Sequence, residues 1–329
     1  MTATPTPTRI SGYTGAAITA LASAAVFSAG LASSAAADYP EQDITMIVPF
    51  AAGGGSDVVA RNIANVINGL GLLPVTVIVE NRPGGSGAIG YSYLAQQAGN
   101  PYVIGTVSAG FYTTPLTGGS PVTYRDFTPL AAIATDPFVL AVRADSDIHS
   151  LEDLQAQGTL VTGTSGAVSD PTMLAHILED ILDITINVVP YDSGGEVLSA
   201  QLGGHTDYIF LNPSEILPQV EAGELRAIVV TTEERMERLP DVPTMVELGH
   251  DVRVQQLRGL LAPRDIPQEV VEYWEDILLQ VAESDMWREQ YLDRFLTEPA
   301  YVRSEAFGES WVETSDQYEA LMRDLDIID

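Results

Sequence analysis

The chain has no cysteine. That excludes disulfides, thiolate metal sites, a cysteine nucleophile and a lipid anchor on cysteine. It has no lysine either: all 15 basic residues are arginine, set against 45 acidic ones. A Walker-type phosphate loop needs its lysine, so that class falls away. Histidine is scarce. His149, His176, His205 and His250 are scattered, and none stands in a metal-binding spacing. Each reads as an exposed or capping residue. No G-x-S-x-G elbow occurs, since GTSGA at 163–167 ends in Ala and TVSAG at 106–110 begins with Thr. At a net charge of −30 the surface repels nucleic acid and anionic lipid.

What is present begins with an unusual N-terminus. Residues 1–37 carry Arg9, no acid, an apolar run of small residues from Gly15 to Leu31, and a closing Ala35-Ala36-Ala37. This reads as a secretory signal peptide cleaved after Ala37. The run is too weakly hydrophobic for a comfortable membrane span, and no later segment offers one. Cleavage would leave 14 arginines against 45 acids, and a periplasmic or extracellular chain. Such acidity suits strong salt, where screening removes self-repulsion, so a halophilic source is an expectation.

At 329 residues two lobes are expected. β-like and helix-like runs alternate. ITMIVPF (44–50), VTVIVEN (75–81) and YVIGTVS (102–108) form one series. PFVLAVR (137–143), TLVTGT (159–164), INVVPY (186–191), YIFLN (208–212) and AIVVTT (227–232) form a second. GLLAP (259–263) and a helical tail bearing Trp274, Trp287 and Trp311 return the chain. Such alternation implies an α/β fold with parallel sheets. Lobe 1 is expected over 38–138 and 256–329, and lobe 2 over 139–255. Ser56 or Asp57 is expected to cap the first helix, with Val59, Ile63, Val66, Ile67 and Leu70 on one face and an Asp57–Arg61 pair.

Residues 85–90, GSGAIG, match the G-x-G-x-x-G dinucleotide fingerprint. The context does not fit. Pro83 separates strand from glycines, and the next strand, YVIGTVSAGF, lacks the acid that holds a ribose. No nucleotide or other cofactor is expected. The loop is instead one of three that follow a strand and precede a helix: AAGGGSD (51–57), PGGSGAIG (83–90) and TSGAVSD (164–170). Glycines allow close approach, and free N–H groups at a helix start can hold an anion without a basic side chain. In a doubly wound sheet such loops gather at the carboxyl ends of the strands. Tight βα turns alone would also explain each loop taken singly.

The stretch DYPEQDITMIVPFAAGGGSDVVAR (38–61) resembles the opening of the Bug, or TctC-type, substrate-binding proteins of tripartite tricarboxylate transporters. VIVENRPGGSGAIG, RDFTPL, QLGGHTDYIF, AGELRAIVVTT, RLPDVPTMVELG and GLLAP follow in the same order as in that family. VPFAAGGGSD, ENRPG and LPDVPT together are highly specific.

The resemblance implies a type II periplasmic-binding-protein fold, two α/β lobes closing on a small organic carboxylate. The ligand would be a di- or tricarboxylate, an aromatic carboxylate or an acidic amino acid, delivered to the membrane permease of the transporter. It implies a monomer without catalytic activity. It places ligand contacts at Phe50, Ala51, Ala52, Gly53 and Gly54, and at Gly84, Gly85, Ser86, Gly87 and Ala88. The second lobe would add Ser165, Gly166 and Ser169. Thr106 and Ser108 close the third strand, where a hydroxyl could face the cleft. Asp207 would either meet a ligand donor, the favoured role, or hold the hinge side. A solute sensor presenting the carboxylate to a receptor kinase is the alternative; for a hydrolase no recognisable nucleophile or metal constellation stands in the sequence. Departures from the family pattern include Asp192 in place of a common Lys, Thr172-Met173 in place of His-Leu, and Leu257-Arg258 where an aromatic is frequent.

Overall fold

The computed structural model describes residues 39–329, so the leader reading at 1–37 lies outside the described residues. The first series runs β1 (Ile44–Val48), α1 (Gly55–Leu70), β2 (Val77–Asn81), α2 (Ala88–Ala95), β3 (Val103–Thr106) and α3 (Ala109–Leu116). In β1 every residue but Thr45 is buried, as a strand covered on both faces requires. The α1 stripe buries Val59, Ile63, Val66 and Ile67, while Leu70 is 48% exposed at the helix end. Gly71 then stops the helix at φ 63°, a left-handed turn suited to glycine. The helix starts earlier than the sequence suggests. Its N-cap is Gly54, and Asp57 reaches back to accept from the Gly53 N–H at 3.0 Å. The Asp57–Arg61 pair forms, at 2.9 Å.

A long strand, β4 (Phe127–Pro137), runs through Phe138 into β5 (Val139–Arg143). The second series follows: α4 (Leu151–Gln157), β6 (Thr159–Thr164), α5 (Asp170–Leu182), β7 (Thr185–Pro190), α6 (Gly194–Leu202), β8 (Tyr208–Leu211), α7 (Pro213–Glu221) and β9 (Leu225–Val230). The chain returns through β10 (Gln255–Pro263), α8 (Gln268–Glu283), α9 (Asp285–Trp287), a π-turn at Arg288–Leu292, α10 (Asp293–Phe295), β11 (Glu298–Arg303) and α11 (Ser304–Asp324).

Two sheets result. One has six strands in the order β11-β4-β10-β3-β1-β2, the other five in the order β7-β6-β8-β5-β9. Each contains a parallel trio, β2-β1-β3 and β7-β6-β8, with the same second-first-third order. The sheets are not wholly parallel. β10 runs antiparallel to β3 and β4, β11 to β4, and β5 to β8 and β9. These strands follow direct or long returns rather than right-handed helical crossovers.

The segments that pass between the sheets are tied together. The Phe138 N–H donates to Thr231 Oγ1 at 2.9 Å, the Thr231 N–H donates to Phe138 O at 3.0 Å, and Thr231 Oγ1 lies 2.6 Å from Val254 O. On the six-stranded side Tyr91, Phe111, Phe127, Phe307 and Trp311 form an aromatic core, with Phe111 edge-on to Trp311 at 4.9 Å. On the five-stranded side Leu140, Leu174, Leu178, Tyr208 and Phe210 fill one face of the sheet.

Candidate functional site

The trio order places a reversal between β1 and β3, and another between β6 and β8. Helices starting at the carboxyl ends of such neighbouring strands open a crevice. Here the two crevices face each other across one small cavity of about 40 Å³, room for roughly three water molecules. Five helix N-caps line it: Gly54 of α1, Ser108 of α3, Ser169 of α5, Ser193 of α6 and Asn212 of α7. Each helix start carries unsatisfied N–H groups and about half a positive charge. Two come from the six-stranded side and three from the five-stranded side.

Side chains set the detail. Arg258, on β10, is 1% exposed and lines the cavity. Its Nε donates to Asp136 Oδ2 at 2.6 Å and its Nη2 to Asn212 Oδ1 at 2.7 Å. Tyr291 donates to Asp136 as well, at 2.9 Å to Oδ2. Burial alone would weaken the guanidinium's hold on its proton, but Asp136 and its neighbours keep the charge firmly in place. The glycine loops themselves offer no basic side chain, and a buried arginine from a distant strand stands in the cavity wall.

Asn212 also donates to Pro137 O at 2.9 Å, fixing the start of α7 against the end of β4. Its N–H donates to Glu215 Oε2 at 3.0 Å, and Glu215 Oε1 accepts the Gly55 N–H at 2.9 Å, joining α7 to α1. Burial pushes the Glu215 carboxyl up to about 7, against the opposing pull of those N–H groups and Arg258. Burial likewise raises Asp170 to about 6, although Tyr318 of α11 donates to its Oδ1.

The residues singled out from sequence fall in different places. Phe50, Gly54, Ser108, Ser165 and Ser169 line the cavity. Ser108 Oγ is held 2.9 Å from the Tyr91 hydroxyl. The second glycine loop, Gly84, Gly85, Ser86, Gly87 and Ala88, does not line it. This loop instead joins the two sides, for Ser86 Oγ accepts the Ala167 N–H at 3.0 Å and Ser86 lies against Gly166. Ser86 adopts a left-handed φ of 51° to do so. In the first loop Ala51 donates to Asp192 O at 3.3 Å, and Ala52 and Gly53 pack against Gly195. Thr106 is buried, with its hydroxyl unpartnered and outside the cavity wall. Asp207 lies at the far end of the strands, exposed, where Oδ2 accepts the Val161 N–H at 2.7 Å. The Asp192 side chain is exposed too, so the departure from Lys falls on the surface.

Asn212, Glu215, Ser193, Asp170 and Arg258 were not among the sequence candidates. Asn212-Pro-Ser-Glu215 is a legible capping box. The pairing of Arg258 with Asp136, from 122 residues away, left no local signal. Beside the small cavity, and sharing Ser108, Ala109, Asp170 and Gln256 with it, lies a larger chamber of about 260 Å³. Tyr112, Met173, Leu257, Tyr318 and Leu321 give it an apolar side, and Asp170, Arg253, Gln255 and Gln317 a polar one.

The sequence matches the tripartite tricarboxylate transporter family receptor over residues 59–327. It is 29% identical over 315 residues to the UPF0065 protein in the gbd 5' region of Cupriavidus necator, covering 93% of this chain and 94% of that protein. The fold is similar to that of the periplasmic binding protein BugD, with a TM-score of 0.81 at 26% identity, covering 88% of this chain and 99% of that one. R. palustris Rpa4515 with adipate gives a TM-score of 0.80 at 25% identity, covering 88% of this chain and 99% of that one.

Proposed function

Because this chain belongs to the tripartite tricarboxylate transporter family receptors, which are substrate-binding proteins and not enzymes, we propose that it captures a small organic carboxylate outside the cytoplasmic membrane. It then delivers the solute to the transporter's permease, working as a monomer. One lobe comprises 38–138 and 256–329, the other 139–255, and the ligand is held between them.

The observation that carries this reading is the convergence of five helix starts on one cavity, joined by a single buried arginine. A carboxylate there accepts N–H groups from both sides at once, so it favours the closed arrangement over the open one. Its body extends into the adjoining chamber, since a 40 Å³ cavity holds little more than the charged end. The adipate complex of the related Rpa4515 supports a carboxylate as the ligand class.

The test is a thermal-shift and calorimetric screen of the purified chain against carboxylates, amino acids and neutral sugars. A ligand that binds only the folded state raises Tm by mass action. Shifts confined to carboxylates support the reading. Shifts with sugars and none with carboxylates overturn it.

A further inference from the structure

Glu215 rises from the first turn of α7, on the five-stranded side, yet one of its oxygens accepts the Gly55 N–H at the start of α1, on the six-stranded side. The other oxygen accepts from its own cap, Asn212. The side chain therefore makes with α1 the contact that a ligand carboxylate would make. It is packed closely: a Cβ added to Gly194 would stand 1.9 Å from Oε1.

The charged groups around it come from four elements. β10 supplies Arg258, already engaged with Asp136 and Asn212. β4 supplies Asp136, which also accepts from Tyr291 of the π-turn. α5 supplies Asp170, held by Tyr318 of α11. α1 supplies Asp57, which Arg61, Asn81 and the Gly53 N–H satisfy. One cation thus faces three buried carboxyl groups, Asp136, Asp170 and Glu215, and no histidine or lysine lines the cavity. Two ionised carboxylates cannot share so small a space without a strong penalty. An arriving carboxylate that takes the α1 N–H groups leaves Glu215 buried beside it. The outcome of least cost is that Glu215 binds a proton from the solvent and donates its O–H to the ligand. Its carboxyl, pushed up to about 7 by burial, is already poised to do so near neutral pH.

We propose that Glu215 is the residue that sets the charge state this receptor accepts: it makes with α1 the contact a ligand carboxylate would make, and takes up one proton when the ligand arrives. The solute is then captured as a carboxylate together with a proton. This rests on the carboxylate reading of the cleft.

The experiment is isothermal titration with adipate, and with a panel of other mono- and dicarboxylates, in buffers of different ionisation heat. It spans about pH 6 to about pH 8.5, on both sides of the Glu215 transition. Proton uptake is expected to approach one per ligand at the alkaline end, with Kd rising about tenfold per pH unit there. Glu215→Gln is expected to bind with no proton uptake and a flat pH profile. Carboxylate binding by the native chain without proton uptake overturns the proposal and leaves the carboxylate reading intact. A Glu215→Gln chain that keeps the native pH slope also overturns it. If that variant fails to fold, the native-chain titration decides alone. Binding by no carboxylate of the panel overturns both readings together.

Discussion

Replacing Arg258 by methionine tests the centre of the site. Asp136 is fully buried and Arg258 1% exposed, so neither charge has water to fall back on. Methionine fills similar length without the guanidinium. It leaves Asp136 with only the Tyr291 hydroxyl, and leaves Asn212 Oδ1 without its donor. Breaking a buried pair from one side costs about 3–5 kcal/mol, because the stranded charge keeps its desolvation penalty. Against a total stability of about 5–15 kcal/mol that is a large fraction. Removing the second charge as well, with Asp136→Asn, should return most of the loss, since a neutral pair has little charge left to desolvate. Urea unfolding of the native chain, both single variants and the double variant gives the coupling directly. A coupling of at least about 2 kcal/mol is expected. If Arg258→Met alone costs less than about 1 kcal/mol, or the double variant is no more stable than the single, the buried pair does not hold the site as described.

Stability should also follow pH. The Glu215 and Asp170 carboxyls are raised from 4.5 to about 7 and from 3.8 to about 6, so their contribution is full below about pH 4 and is lost as pH rises through 6–7. The Glu215 part is on the order of 3 kcal/mol. Tm in a non-binding buffer should fall as pH rises across that window, and Glu215→Gln should flatten the curve; an unchanged slope in the variant refutes the assignment. Gly54→Val directs its side chain at the Gly194 N–H, 3.3 Å from the added Cβ, so it should wedge the sides apart. Small-angle scattering should show no compaction with ligand and affinity should drop at least about a hundredfold, equivalent to about 3 kcal/mol, with little loss of folding; native affinity would count against the site. Thr231→Val keeps the shape but strands the Phe138 N–H, and should cost about 1–3 kcal/mol in urea unfolding. A cost below about 0.5 kcal/mol would mean the crossing segments are not pinned there.

Much of the fold is legible because its central strands are short apolar runs between glycine turns. TLVTGT coincides with β6 residue for residue. β4 is not legible in this way: FTPLAAIATDP mixes small residues, two prolines and an internal acid, and it is held by partners far along the chain. Direction is harder still. Alternation suggests parallel pairing, while β5 and β10 turn antiparallel because of where distant segments return. The site follows the same rule. Gly54, Ser108, Ser165 and Ser169 stand beside strand-to-helix turns and are visible locally. Arg258 in LRGLLAP looks like a substitution within an edge of an apolar run, and only Asp136 and Asn212 explain why it can be buried. The shared second-first-third order of the two trios left no trace as a repeat in the residues.

That arrangement of strands also fixes an order of assembly. All five strands of one sheet lie within residues 139–230, an unbroken stretch of chain. The other sheet needs β10, which sits between β3 and β4, and β11, so it cannot be completed until residues 255–303 exist. A chain growing from its N-terminus therefore begins the six-stranded sheet first and finishes it last. In the interval β3 and β4 expose unpaired edges, and the first half is open to wrong partners. The middle of the protein can mature while its beginning waits for its end.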